Sequence, residues 1–504
     1  MSNYQKNKYI FVVKTTRLGK MEKKLIGRDR ERNRINKLLA SGSAEFLAIY
    51  GRRRIGKTFL IRQYLKSQIV FSFTGSFETN TDIQLSNFFR EYSNRTQGQK
   101  ETNPPQNWNT AFSYLADYLK LLQHRKKKIV VFIDELPWLD RPKSGFVSAL
   151  EYFWNQHVSN MNNVLLIVCG SAASWMQKKL LKAKGGLHNR ITARIKLMPF
   201  DLYETELFCK SKNLKLSKYQ IIQIYMAMGG VPFYLNELST GKSAEQLIDE
   251  ICFTTTGLLS NEYEQLYYSL FKNADNHLAI IEALAKQANG MSRFELLKKS
   301  KLPDGGTFTR TLNDLYESGF ISSYQPFNKK KKDTIYRLID LYSLFYLKFI
   351  KGQVHKTSQS WQKIASQAKF KAWSGYAYEN ICMLHTYQIL NKLGLNGTYT
   401  QISSWKHIGN DTVPGAQIDL LIDRKDGVVN LCEVKFTQDE FIITKNYNAA
   451  LRRKRSIFKN VTKTKKAIFT TLMTTHPAIR NKYYIEEVQS EVNMKDLFIK
   501  TPHT

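Results

Sequence analysis

The chain has 504 residues, room for about three domains, and its 42% hydrophobic and 12% aromatic content excludes a mainly disordered chain. Lys and Arg outnumber Asp and Glu by 76 to 42, a formal charge of +34; this points to nucleic acid, DNA foremost, ahead of an acidic membrane, for which no basic amphipathic anchor stands out, or of a basic proteome with no specific partner. Cys169, Cys209, Cys252, Cys382 and Cys432 form no C-x-x-C pair and no Cys/His cluster, which argues against a zinc or disulfide framework and fits a reducing cytoplasm.

No apolar run approaches a membrane span. Residues 1–20 hold one short apolar run, Tyr9 to Val13, too short for a signal peptide. They read as a disordered extension or a mis-assigned start, and Met21 opens the first folded domain. A charged helix follows from Ile26-Gly27-Arg28 to Leu39-Ala40. Then comes an apolar strand, Phe46 to Tyr50, the loop Gly51-Arg52-Arg53-Arg54-Ile55-Gly56-Lys57-Thr58, and a helical pattern from Phe59 to Leu65. Strand, G-x-x-x-x-G-K-T, helix is the context of a phosphate-binding loop. Its glycines let backbone N–H groups turn toward phosphate, and the helix N-terminus adds partial positive charge. Lys57 would reach the β- and γ-phosphates of ATP, and Thr58 would hold Mg²⁺.

Ile69 to Thr74 reads as the next strand and Trp108 to Leu122 as an amphipathic helix. Ile129-Val130-Val131-Phe132-Ile133 reads as a strand buried on both faces and ends in Asp134-Glu135. Asp134 is placed to bind or back the Mg²⁺, and Glu135 to polarise the attacking water. Ser144 to Val158 reads as a helix, and Val164 to Cys169 as a further buried strand. Ser171 then reads either as a γ-phosphate contact or as a helix N-cap. Arg190 reads as a phosphate-sensing arginine or a basic surface residue.

From Asp201 to about 262 the pattern is helical, interrupted by Met228-Gly229-Gly230-Val231-Pro232, and suggests a small lid. Over 265–338 three short helices precede a basic hairpin, the pattern of a winged helix-turn-helix. Thr307, Thr309 and Arg310 would face a DNA groove, with Lys329 to Lys332 on the wing beside phosphates. The other reading is a winged helix used for protein contact.

The last third carries Asp419 in an apolar strand, an Asp426-Gly427 turn, then Glu433-Val434-Lys435 in a second strand. Side chains alternate along a strand, so Glu433 and Lys435 share a face. With Asp419 opposite, two carboxylates and a lysine would converge to bind Mg²⁺ and activate water at a phosphodiester. Glu379, on an upstream helix, would add a third acid, and Arg452-Arg453-Lys454-Arg455 would grip a nucleic-acid backbone. An exposed strand pair of mixed charge is the plainer reading of the same pattern.

In this order the P-loop, Asp134-Glu135, Cys169-Gly170-Ser171, Gly229-Gly230-Val231-Pro232 and the winged helix resemble the archaeal-type AAA ATPase family, a STAND-like branch of P-loop ATPases. The tail resembles its C-terminal domain of unknown function, related to PD-(D/E)XK nucleases. The resemblance implies an α/β multidomain chain: a P-loop parallel-sheet ATPase at 21–200, a helical lid at 201–264, a winged helix at 265–338, a restriction-endonuclease-like domain at 339–480 and a tail at 481–504. It implies ATPase roles for Lys57, Thr58, Asp134 and Glu135, a sensing role for Arg190, and nuclease positions for Asp419, Glu433, Lys435 and Glu379. Ile418 stands where the nuclease pattern has Pro, and the lid shows no second sensor arginine, which suits a slow switch better than a processive motor. The expected function is an ATP-hydrolysing, DNA-binding switch coupled to Mg²⁺-dependent phosphodiester cleavage. The alternatives are a DNA-binding regulator, or a STAND-like sensor, with an inactive nuclease fold. Arg190 acting on a neighbouring subunit's nucleotide would require a ring or dimer, so a homo-oligomer stays open.

Overall fold

The computed structural model describes residues 24–97, 101, 103–125, 127–181, 189–352, 360–365, 367–411 and 413–502; the 1–20 extension lies outside them. Five parallel strands form the first sheet: β1 (Glu45–Tyr50), β2 (Ile69–Thr74), β3 (Ile129–Asp134), β4 (Val164–Gly170) and β5 (Ala193–Lys196), in the order β2-β3-β4-β1-β5. Every residue of β1, β3 and β4 is buried, which explains why these strands read as unbroken apolar runs. One face packs on the helices Thr81–Thr96, Trp108–Leu121 and Phe146–Gln156. The other packs on Asp29–Leu39 and the P-loop helix Lys57–Tyr64.

The segment expected to form a lid holds the helices Leu202–Ser211, Lys218–Met228 and Ala244–Phe253. Gly230 fits because its neighbour is backbone: a Cβ there would lie 1.8 Å from the Phe200 carbonyl oxygen, and Phe200 N–H donates to the Gly230 carbonyl at 2.6 Å. The lid turn is thereby clamped to the strand-end segment after β5.

Next come the helices Ala274–Ala285, Arg293–Ser300 and Gly306–Glu317, with β6 (Met291–Ser292), β7 (Ile321–Tyr324) and β8 (Ile335–Leu338) in an antiparallel sheet ordered β6-β8-β7. These three helices and the small sheet occupy the segment expected to form a winged helix. Ser292 opens the middle helix with a capping box: its hydroxyl accepts from Glu295 N–H at 3.3 Å, and the Glu295 carboxylate accepts from Ser292 N–H at 2.8 Å.

A second five-stranded sheet holds β9 (Thr400–His407), β10 (Ala416–Arg424), β11 (Val428–Lys435), β12 (Ala467–Thr474) and β13 (Ser490–Asn493), ordered β13-β12-β11-β10-β9. β9, β10 and β11 run antiparallel, whereas β12 and β13 join parallel to β11. The helix Lys445–Thr462 makes the crossover from β11 to β12, and Ala368–Leu384 precedes the sheet. Residues 481–502 are not a mere tail: β13 completes the sheet, and Val492, Leu497 and Phe498 are buried. These segments are too short to show a period in the sequence.

The modules are joined by buried and half-buried contacts. On the wing, Phe327 packs against Phe458 with ring centroids 5.3 Å apart, and Asn289 and Gln417 exchange amide hydrogen bonds of 2.8 and 2.9 Å. The lid's Tyr219 stacks on Phe436, just past β11, at 5.2 Å. All five cysteines are free and buried. No helix among the described residues is long and apolar enough to cross a membrane.

Candidate nucleotide site and carboxylate centre

The P-loop leaves β1 at Gly51, where φ is +147° and a Cβ would lie 2.3 Å from the Leu197 carbonyl oxygen, so only glycine fits. Gly56, at φ +88°, turns the chain into the helix Lys57–Tyr64. The Lys57 ammonium donates to the carbonyls of Gly51 and Arg52, both at 2.9 Å, and lies 3.4 Å from the Ser171 hydroxyl. Thr58 donates its hydroxyl to the Asp134 carboxylate at 2.6 Å. Glu135 follows in the left-handed region, at φ +51°. Its carboxylate accepts from Ser171 N–H at 3.1 Å and from the Ser171 hydroxyl. Residues from the ends of β1, β3 and β4 therefore meet at one point, as parallel strands carry their loops to the same edge.

A cavity of about 780 Å³ opens on Gly56, Lys57, Thr58, Glu135 and Ser171, and Arg53, Arg54 and Ile55 form its rim. Its far wall is apolar and comes from regions the motif does not mark: Leu25 and Ile26 before the first helix, Phe200 and Phe208, and Pro232 and Phe233 of the lid turn. Arg28 fastens this wall to the loop, donating to the carbonyls of Ile55 at 3.0 Å and Met198 at 2.7 Å. Beside it, burial first, with Asp201 and Glu31 adding repulsion, pushes the Glu204 carboxyl up to about 7, against the pull of Arg28.

Two expected contacts lie elsewhere. Arg52 turns away from the cavity: its guanidinium is buried in an ion pair with Asp340, just past β8. Arg190 is exposed and sits before β5. Ala193 faces Leu47, and the P-loop starts after Tyr50, so about seven residues, or ~20 Å of strand rise, separate Arg190 from this chain's own phosphate loop. Arg54 points to the lid, 2.7 Å from the Glu262 carboxylate and 4.5 Å from the Phe233 ring centroid.

Residues 25–238 match the family described as an ATPase domain predominantly from Archaea. The N-terminal module is an archaeal-type P-loop ATPase. The chain is also 24% identical over 417 residues to an uncharacterized protein of Methanocaldococcus jannaschii, covering 82% of this chain and 87% of that one. Among solved structures, a Walker-type ATPase of Pyrococcus abyssi is similar at 17% identity and a TM-score of 0.46, covering 64% of this chain and 96% of that one. The Aeropyrum pernix ORC2 protein, solved as ADPNP-ADP complexes, is similar at 16% identity and a TM-score of 0.39, covering 65% and 95%.

Outside this ATPase, a second constellation lies on the C-terminal sheet. The register that pairs Leu420 with Cys432 sets Asp419 opposite Glu433. A bulge between Ile418 and Leu421 in the β9 pairing re-aims Asp419, and its carboxylate accepts from Val434 N–H at 3.2 Å. Lys435 lies 3.0 Å from Glu433, as the shared strand face requires. Glu433 also receives Lys454 at 2.7 Å and the Tyr447 hydroxyl at 2.8 Å from the crossover helix. Burial opposes its charge, but Lys435 and Lys454 hold its carboxyl below the usual value. Glu379 receives Arg337 of β8 at 3.1 Å; burial, then the nearby Asp419, pushes its carboxyl up to about 7. Asp419 is raised too, by burial and by Glu433.

The basic run expected to grip a backbone is largely engaged inside the protein. Lys454 faces Glu433, Arg452 pairs with Glu486 and Glu487, and Arg455 pairs with Glu487; Arg453 is exposed. Asp419 and Glu433, expected to hold a metal, are both engaged by protein groups in this arrangement. Both Glu433 oxygens already have donors, and no group of three or more His, Cys, Asp or Glu side chains among the described residues is arranged to hold a metal ion.

Proposed function

We propose that this ATPase is a nucleotide-gated, DNA-binding switch whose C-terminal carboxylate centre is held closed in the arrangement described and acts on phosphodiesters when released. One chain of contacts carries the reading. Arg52, inside the P-loop, is buried on Asp340. Asp340 lies three residues beyond Arg337, and Arg337 bonds Glu379 at 3.1 Å. A P-loop that rearranges around phosphate moves Arg52, and with it the strand end that holds the third acid. Arg54 makes the matching link to the lid through Glu262 and Phe233.

At the nucleotide, Lys57 would leave the Gly51 and Arg52 carbonyls for the β- and γ-phosphates of ATP. Glu135, oriented by Ser171, would hold the attacking water and draw its proton. Thr58 and Asp134, a hydroxyl and a carboxylate already in contact, are a hard-oxygen set that suits Mg²⁺, which would neutralise phosphate charge. For DNA, Thr307, Thr309 and Arg310 are exposed on the third helix of the winged helix, and Lys329, Lys330, Lys331 and Lys332 on the wing. A second reading, a DNA-binding regulator with an inert nuclease fold, is favoured by the two ammonium groups and the tyrosine on Glu433.

Cleavage of supercoiled and linear DNA by the purified protein, with Mg²⁺ and with or without ATP, tests the proposal. Cleavage that is lost in Asp419→Ala and altered in Lys57→Ala supports the gated nuclease. Intact ATP hydrolysis with no cleavage in Mg²⁺ or Mn²⁺ leaves the regulator.

A further inference from the structure

A basic cleft on the ATPase module lies apart from its nucleotide. The helix Asp29–Leu39 runs beside β5, the edge strand of the first sheet. Between them lies a cleft of about 820 Å³ that is lined by Arg30, Arg34, Lys37, Arg194 and Lys196 and by a single carboxylate, Glu31. Two periodicities put the cations there. Positions 30, 34 and 37 fall on one helix face, alongside the buried Ile35 and Leu38. Arg194 and Lys196 alternate with the buried Ala193 and Ile195 along β5. Arg30, Arg34, Lys37 and Arg194 are exposed and make no ion pair with any described residue.

Cations on an edge strand also keep that edge from pairing with another chain. That explains Arg194 and Lys196 but not three more cations on the helix beside that edge. The cleft also has a direction. It shares Arg30, Glu31, Lys196 and Met198 with the crevice that reaches Gly319 and Asp340. Lys196 lies 3.3 Å from Glu317 and 5.3 Å from the Tyr316 ring centroid, at the end of the winged helix's third helix.

We propose that the α-helix–β5 cleft is a second nucleic-acid contact, which takes the phosphate backbone of the duplex that the winged helix engages. The helical stripe from Arg30 to Lys37 spans ~10 Å, about three nucleotides of axial rise along one strand. These are charge contacts to phosphate, so they add affinity and register without reading sequence. The identity of the polyanion rests on the DNA-binding reading above, whereas the location rests on the cleft.

The test is binding of a labelled DNA duplex by the full chain across a salt series. Arg30→Gln, Arg34→Gln, Lys37→Gln and Arg194→Gln are combined in one variant. A second variant carries Arg310→Gln with Lys329 to Lys332 changed to Gln. Each phosphate contact contributes about 0.9 to the slope of log affinity against log salt. The cleft variant should therefore lose about 3 to 4 in slope and at least tenfold in affinity, with wild-type melting temperature and ATP hydrolysis. An unchanged slope in the cleft variant, with binding lost in the winged-helix variant, overturns the cleft and keeps the DNA reading. Wild-type protein that binds no duplex overturns both. Loss of anionic-vesicle binding with duplex binding intact assigns the cleft to lipid and also overturns the proposal.

Discussion

The two sheets present acids at their strands and treat them in opposite ways. Asp134 and Glu135 have neutral partners: the Thr58 hydroxyl and the Ser171 hydroxyl and amide. The nearby ammonium of Lys57 rests on backbone carbonyls. Glu433 and Glu379 instead have cations, Lys435, Lys454 and Arg337, as partners. Neutral donors orient a carboxylate and leave its charge to be met by whatever enters the cavity. Cationic partners cancel it in place. The first site is poised for a ligand, while the second must lose internal contacts before it accepts one.

If the two regions are mechanically joined, Arg52→Met should be the costliest change, at about 3–5 kcal/mol, because it strands the buried Asp340 charge. Denaturant unfolding measures this, and a cost near zero would mean that the modules are independent. Lys57→Ala should lower ATP hydrolysis ~10²–10³-fold, the range for losing one group that stabilises transition-state charge. Asp419→Ala should leave phosphate release unchanged. Glu433→Ala should destabilise by about 1–3 kcal/mol by leaving Tyr447 and two lysines without their acceptor; a stabilised variant would contradict the self-neutralised picture.

A pH series sharpens the contrast within the ATPase module. Glu204 is raised from 4.5 to about 7, so the folded chain binds this proton more tightly than the unfolded chain. The resulting stability is full below pH ~4.5 and is lost as pH rises through ~7, by on the order of 3 kcal/mol. Glu204→Gln should remove that loss, seen as a smaller fall in melting temperature between acid and mildly alkaline buffer. Ser292→Ala is the smallest expected effect, about 1 kcal/mol from the lost helix cap.

Much of this was legible in the sequence where chemistry and local period coincide. Gly51 to Thr58 and Ile129 to Glu135 each combine a motif with a buried strand, so the meeting of Lys57, Thr58, Asp134 and Glu135 followed from parallel topology. Asp419, Glu433 and Lys435 were brought together by a hairpin signal and strand alternation. The remainder depends on distant pairing. Nothing near Arg52 marks a partner 288 residues away, and nothing in the Arg452 to Arg455 run says which cation turns inward. Arg190 shows the limit of reading by order, since the family resemblance suggested a sensor but its place before β5 sets it far from this chain's own phosphate loop.

The buried Arg52–Asp340 contact also bears on how this molecule can be cut. The family boundary ends at 238, yet a fragment ending there would expose a guanidinium that the whole chain keeps 97% out of solvent. It would also lose Glu262, the anchor of Arg54, and His385, whose ring accepts from Leu202 N–H at 2.9 Å. The unit of folding is therefore larger than the matched ATPase domain. Expression of the nucleotide module alone should yield insoluble or partly folded material, whereas proteolysis of the intact chain should leave residues from both sheets in one resistant core.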